Sequence, residues 1–338
     1  MSIYVGLDVS DKTTHVCVVD AEGAVLRREV LASDPEIIAK WLGRYCPDVV
    51  RVVMETGPLS AFLYHGMAAR DLPIECICAR HAKGVLSARV NKSDVHDAEG
   101  IAQMARTGWF KRIHMKDAAT HFDRAAIRIR AQLITARTSM INQLRGLLKL
   151  FGLRLGSARA AGKRTERLVA LYAQRPDLEA LFAPLIASME AIEAQLRAST
   201  RTLELRAASD PVCMRLMTVP GVGPITALTF TMSIEDPRRF ARGEDVGAYA
   251  GLVPRRSQSG ERDTQGHISK AGDPMLRRAL YEAANIILSR VRQPFALQHW
   301  GRKMAETKGP KRARVAVARK LAILLHSLWL NETEFRWV

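Results

Sequence analysis

The chain has 338 residues, with 51 Lys and Arg against 34 Asp and Glu, for a formal net charge of +17. A chain of this length accommodates two domains and a helical connector, and so large a positive excess favours a polyanionic partner, nucleic acid before a membrane surface. The longest apolar runs, such as 321–330, are too short or too broken to span a bilayer, and the N-terminus lacks a basic stretch followed by an apolar one. The five cysteines (Cys17, Cys46, Cys76, Cys78 and Cys213) form no CxxC pair, so reduced core thiols in a cytoplasmic protein are expected, with no membrane partner.

Residues 3–8, 14–19 and 24–30 read as three short strands joined by tight polar turns, an antiparallel meander. Asp34-Pro35 starts a helix to about Tyr45, and the β-branched run 49–54 is a buried strand. A helix over 59–69, a strand over 74–78 and a helix over 94–106 follow. The order β-β-β-α-β-α-β-α is that of a ribonuclease H-like, RuvC-like domain, here 1–117. Residues 118–151 and 165–209 read as two long helical stretches, the second broken near Pro176 and Pro184, with a small and basic connector at 156–164 between them. They form either a protruding coiled-coil connector, 118–209, or an ordinary helical domain. The remainder, 210–338, is mainly helical: a helix from Ile225, a Gly- and Arg-rich loop over 251–272, helical sequence over 274–291 and a last helix over 311–330.

The chemistry-bearing residues sit at element ends. Asp8 closes the first strand and Glu55 the next buried one, where a carboxylate meets solvent at the sheet rim. Asp94 and Asp97, three apart at a helix start, project from one face. If that helix crosses the strand ends, four carboxylates converge, and their repulsion calls for a cation. An all-oxygen site suits Mg²⁺, or Mn²⁺, and two such ions about 4 Å apart can clamp a phosphodiester. The plainer alternative makes Asp94 an N-cap and Asp97 a favourable first-turn charge. Asp11 and Glu99 are lower-ranked neighbours.

Gly6-Leu7-Asp8-Val9-Ser10, Met54-Glu55-Thr56-Gly57 and Asn91-Lys92-Ser93-Asp94-Val95-His96-Asp97-Ala98 resemble the DEDD transposases of the IS-one-ten insertion-sequence family. So do Asn142-Gln143-Leu144-Arg145-Gly146, Val219-Pro220-Gly221-Val222-Gly223-Pro224, Tyr249-Ala250-Gly251-Leu252-Val253-Pro254-Arg255 and Ile268-Ser269-Lys270-Ala271-Gly272-Asp273. The resemblance covers nearly the whole chain. It implies a DNA recombinase of a bacterial insertion sequence, active in the cytoplasm at the nucleoid, with Asp8, Glu55, Asp94 and Asp97 binding Mg²⁺. It also implies a catalytic serine before a glycine, which maps to Ser259. Many members read Ser-Ser-Gly there, whereas this chain reads Ser257-Gln258-Ser259-Gly260, so Ser257 is a rival. The resemblance further implies an element-encoded guide (bridge) RNA that pairs with donor and target DNA.

Read from its residues alone, the 251–272 loop can bind phosphate through Arg255, Arg256 and Arg262, with Lys270 nearby, and a serine there either attacks phosphorus or is an ordinary hydroxyl donor. No His–Asp pair stands ready to activate it; His267 is the nearest histidine. Metal activation from the carboxylate domain is open, and if it comes from another subunit it demands a homo-oligomer, dimer or tetramer. Pro220-Gly221-Val222-Gly223 is either a phosphate-binding hairpin between helices or a plain turn. The basic run 303–320, with Lys311, Arg312 and Arg314, contacts a nucleic-acid backbone or is a solvated face. The competing readings are a metal-only RuvC-like nuclease and a non-catalytic nucleic-acid-binding protein.

Overall fold

The computed structural model of the chain describes residues 2–86, 94–156, 161–173, 175–260 and 262–337. Of the sequence motifs, Asn91 to Ser93 and part of the 156–164 connector lie outside them. The chain divides into two compact units, Met1–His121 and Phe122–Val338.

The first unit contains β1 (Ile3–Val9), β2 (Thr13–Val19), β3 (Val25–Ala32), α1 (Pro35–Tyr45), β4 (Val49–Glu55), α2 (Ser60–Ala68), β5 (Ile74–Ile77), α3 (Ala79–Leu86) and α4 (Asp94–Thr107). The strands form one sheet in the order β3-β2-β1-β4-β5. β1 pairs antiparallel with β2 and parallel with β4, and β5 extends the parallel half. This is the ribonuclease H-like arrangement expected from the element order. One face of the sheet packs Val5, Leu7, Val16, Val18, Val52 and Met54 against Ile38 and Leu42 of α1 and Leu63 and Met67 of α2. The other face packs Cys17, Val19, Val53 and Ile77 against Ala98, Ile101, Ala102 and Ala105 of α4. α1 starts where it does because the Asp34 carboxylate accepts from the backbone N–H groups of Glu36 at 2.8 Å and Ile37 at 3.1 Å, a cap of about 1 kcal/mol. α4 lies close on β1 because Gly6 has no side chain: a Cβ there would overlap the backbone of Ala98 and Ala102.

Of the helices that follow, α5 (Ala118–Leu150) and α7 (Pro176–Ala208) each hold 33 residues and α6 (Ala161–Tyr172) lies between them in the chain. At 1.5 Å per residue the long pair spans about 50 Å. They run antiparallel: Arg206 Nε lies 3.3 Å from Asp123 Oδ2 and Arg130 Nε donates to Thr200 Oγ1 at 2.9 Å. Leu144, Leu148, Leu168, Tyr172, Phe182 and Met189 cluster at the far end. The expected break at Pro184 does not occur, and α7 runs through it. Pro184 and Ala180 are both exposed, so the carbonyl that loses its intrahelical donor faces water, while Leu178, Phe182 and Met189 hold the buried side of the helix.

The rest comprises α8 (Pro211–Met217), α9 (Pro224–Ile234), α10 (Gly243–Tyr249), β6 (Pro254–Ser259), β7 (Arg262–Ile268), α11 (Pro274–Ser289), α12 (Ala296–Lys308) and α13 (Pro310–Leu330). α9 is the central helix, buried from Ala227 to Ile234. Two expectations are corrected here. The 251–272 segment is not simply a loop, because β6 and β7 pair as an antiparallel hairpin. The basic run 303–320 is not one stretch, because Gly309, at φ 83°, divides it between α12 and α13. The five cysteines form no disulfide with one another, and four are buried; burial pushes the Cys76 and Cys213 thiols up to about 12. Among the described residues no helix is long and apolar enough to cross a membrane.

Candidate functional site

The carboxylate rim follows from register. Leu7 pairs with Met54 across β1 and β4, so Asp8 and Glu55 occupy the next positions on adjacent parallel strands, spaced about 4.8 Å. Gly6 and Val53 face α4. Side chains alternate along a strand, so Asp8 and Glu55, two residues further on, share that face. On α4, Ala98 and Ile101 are buried against the sheet, and Asp94 and Asp97 lie one turn before them in the same two rows. His15, the register partner of Asp8 on β2, has its Nε2 3.7 Å from Asp94 Oδ2, which brings the start of α4 level with Asp8. Asp94 is exposed and Asp97 half-buried. Glu99 turns to the edge strand, where Arg28 donates to it at 2.7 Å, and Asp11 is exposed in the β1–β2 turn.

The four carboxylates offer oxygen donors, the donor chemistry of a Mg²⁺ or Mn²⁺ site, with the His15 imidazole beside them. Among the described residues, no three His, Cys, Asp or Glu side chains are gathered closely enough to hold an ion. His15 is not among the residues that the sequence motifs single out. Its signal was its place opposite Asp8 in the first turn's hairpin.

Ser259 ends β6 at the tip of the hairpin, paired with Arg262, and Gly260 takes the left-handed φ of 56° that turns the chain. All six residues of β6 are exposed. Alternation puts Arg255, Ser257 and Ser259 on one face and Arg256 and Gln258 on the other. The Arg256 guanidinium grips Asp263 across the hairpin at 2.9 and 2.8 Å, so its fork is engaged within the protein. The Ser257 carbonyl accepts a long 3.4 Å hydrogen bond from Thr264 Oγ1. His267 lies five residues along β7 from Arg262, on the order of 15 Å from the tip at ~3.3 Å per residue, too far to serve Ser259 as a base within the hairpin.

The foot of the hairpin is fixed. Ser269 N–H donates to the Val253 carbonyl at 2.8 Å and Lys270 N–H to the Gly251 carbonyl at 3.1 Å, with Lys270 held at φ 52°. A Cβ on Gly272 would overlap the Tyr249 backbone. Asp273 caps α11 through Met275 N–H at 2.8 Å, accepts from Ser233 Oγ at 3.1 Å and pairs with Arg124 of α5 at 2.7 Å. Burial alone would raise this carboxyl, but the Arg124 charge and these hydrogen bonds outweigh it and hold it below the usual aspartate value. Asp273 appeared in the sequence only as the end of a motif, since its partners lie far away along the chain.

The profile of the Transposase IS116/IS110/IS902 family matches residues 213–299, and that of the DEDD transposases matches residues 5–152. The transposase for insertion sequence element IS1111A of Coxiella burnetii is 30% identical over 346 aligned positions, covering 98% of this chain and 90% of that protein. The chain belongs to the IS110 transposase family. A shorter likeness is to the pilin gene-inverting protein of Moraxella bovis, 34% identical over 33% of this chain and 35% of that one. The solved structure of Thermus thermophilus RuvC matches 33% of the chain and 99% of its own length at 16% identity and a TM-score of 0.25; the fold assignment rests on the strand order instead.

The transposase carries its remaining predicted contacts at several places. Arg255 and Lys270 are exposed at the hairpin and its foot, Lys311 and Arg312 are exposed at the start of α13, and Arg314 is half-buried one turn in. Arg262 opens β7. Between α8 and α9, Gly221 at φ 87° fits tightly against α11, where a Cβ would come within 2.8 Å of Ile287 Cγ1. Packing therefore accounts for Gly221 without a ligand.

Proposed function

We propose that this insertion-sequence transposase cuts and rejoins DNA through a serine nucleophile and a carboxylate-bound divalent ion. The observation that carries the reading is the shared face of Asp8, Glu55, Asp94 and Asp97, with Ser259 as the exposed tip residue of a hairpin anchored at its foot. Asp8, Glu55, Asp94 and Asp97 hold Mg²⁺, or Mn²⁺ in its place. Such an ion, when bound, supplies positive charge to the non-bridging oxygens of the scissile phosphate. Arg255, Arg262 and Lys270 hold flanking phosphates, and Lys311, Arg312 and Arg314 extend the backbone contact. Ser259 Oγ forms a bond to phosphorus, the bond from phosphorus to one sugar oxygen breaks, and that oxygen takes up a proton as a free strand end. A strand-end hydroxyl then attacks the phosphoserine ester and releases Ser259. One ester replaces another at each step, so rejoining needs no ATP. A relative named as a gene inverter supports a reaction that rejoins every end it cuts.

The finer parts of the proposal are a bridge RNA, supported by the family resemblance, and a homo-oligomer. Phe122, Ile129, Leu181 and Leu205 on the long helices are 59–75% exposed, which supports assembly through that hairpin. The division into 1–117, 118–209 and 210–338 belongs to the same reading, with the helices of the middle segment as the assembly element.

One observation favours a second reading. Among the described residues of the hairpin, no histidine lies within reach of Ser259 and the Asp263 carboxylate is engaged by Arg256, which suits a metal-only nuclease in which Ser259 merely binds phosphate. Asn or Gln replacement of each rim carboxylate tests the shared premise. Cleavage of labelled element-end DNA falls at least ~100-fold, the scale lost with one transition-state charge stabiliser, while gel-shift affinity stays near wild type. Cleavage that survives all four replacements contradicts both readings.

A further inference from the structure

We propose that a groove formed by α12, α13 and residues 333–337 binds an unstacked base of single-stranded DNA together with its phosphate. The groove has a volume of about 790 Å³, within the range of small-ligand pockets and ample for a nucleotide. Its floor is apolar: Leu297, Ile323 and Leu324, with Phe295 beneath. Its walls are aromatic. Trp300 is half-buried on α12, and Phe335 packs edge-on to Phe295 and Trp337 with centroids 5.4 and 5.6 Å apart. The wall that carries Phe335 is pinned, because its N–H donates to Thr218 Oγ1 at 2.9 Å.

Two cations stand at the rim. Lys320 Nζ stands 4.3 Å over the Trp300 ring, and Arg336 is exposed in the lining, with Glu244 in the lining and Glu334 in the adjoining segment as the acids. Aromatic walls with cations at the edge are the construction by which proteins hold single strands: a base stacks on a ring and its phosphate meets a charge. A base inside a duplex has both faces stacked and cannot enter, so the groove selects unpaired nucleotides. DNA is the committed source; this rests on the proposed cutting and rejoining of DNA, in which strands separate for exchange. The groove is distinct from the carboxylate rim and the serine hairpin, and the proposal does not depend on which residue attacks phosphorus.

Fluorescence anisotropy with the full-length protein tests it, using a labelled oligo-dT of about 12 nucleotides and a duplex of the same length. Trp300→Ala raises the Kd for oligo-dT about tenfold, the effect of losing one stacked base, and Trp300→Phe restores it. The surface variant Lys320→Gln with Arg336→Gln, which leaves the packed floor intact, weakens oligo-dT binding and lowers its salt dependence. Duplex affinity stays within about twofold throughout, against that tenfold effect. Oligo-dT bearing 5-iododeoxyuridine crosslinks to Trp300 or Phe335. Unchanged oligo-dT affinity in the surface variant, parallel loss of duplex affinity, or oligo-rU bound more tightly than oligo-dT through the same residues would overturn the proposal. Covalent adduct formation is scored separately, so failure here leaves the serine reading standing.

Discussion

Asp273 does at residue scale what the hairpin cannot do for itself. β6 has no buried side chain, so the orientation of Ser259 depends on its foot, and Asp273 ties that foot to Arg124 and Ser233. The Arg124–Asp273 side chains are only 12% and 10% exposed, so removing one charge strands the other in a low-dielectric site. Asp273→Asn therefore costs about 3–5 kcal/mol in urea unfolding at neutral pH. The folded carboxyl titrates below its unfolded value of about 3.9. The stabilisation is then fully present above about pH 4 and is lost as pH falls through the folded value. The gap between wild type and Asp273→Asn narrows correspondingly below about pH 4; a gap constant from pH 7 down to pH 3 would contradict the ion pair's role.

Among the elements, α4 carries half of the rim, and its position depends on Gly6. Gly6→Ala forces a methyl into the backbone of Ala98 and Ala102, and a helix backbone cannot yield as a side-chain tip does. Unfolding free energy falls by about 1–3 kcal/mol, and DNA cleavage falls with it because Asp94 and Asp97 move with the helix. Gly43→Ala is the contrast: it stands in α1 with nothing within 4 Å of its Cβ position, and it stabilises by up to about 1 kcal/mol. Equal effects of the two substitutions would refute the close-approach account.

The elements also divide into those legible in the sequence and those not. β1, β4 and α1 were legible because apolar runs and the Asp34-Pro35 cap are local signals. Asp8 and Glu55 were legible as strand-ending carboxylates for the same reason. The β6–β7 hairpin was not, since Pro254-Arg255-Arg256-Ser257-Gln258-Ser259 has no apolar alternation and is held by backbone pairing and the Arg256–Asp263 bridge. α7 continues through Pro184 because solvent serves the freed carbonyl, which sequence alone does not reveal. His15 and Asp273 gained their meaning from partners brought by the fold.

For the whole molecule, a net charge of +17 makes DNA affinity strongly dependent on salt. Lys311→Gln and Arg312→Gln each reduce the slope of log K against log salt by about one if each side chain neutralises one phosphate. An unchanged slope would make the start of α13 a solvated face. In the proposed chemistry the transposase joins itself to DNA through Ser259. Covalent trapping of labelled element-junction DNA with and without Mg²⁺, resolved on denaturing gels and mapped by mass spectrometry, tests this bond. The expected result is a Mg²⁺-dependent adduct on Ser259 that persists in Ser257→Ala and vanishes in Ser259→Ala. Cleavage without any adduct, or an adduct on Ser257, would contradict it.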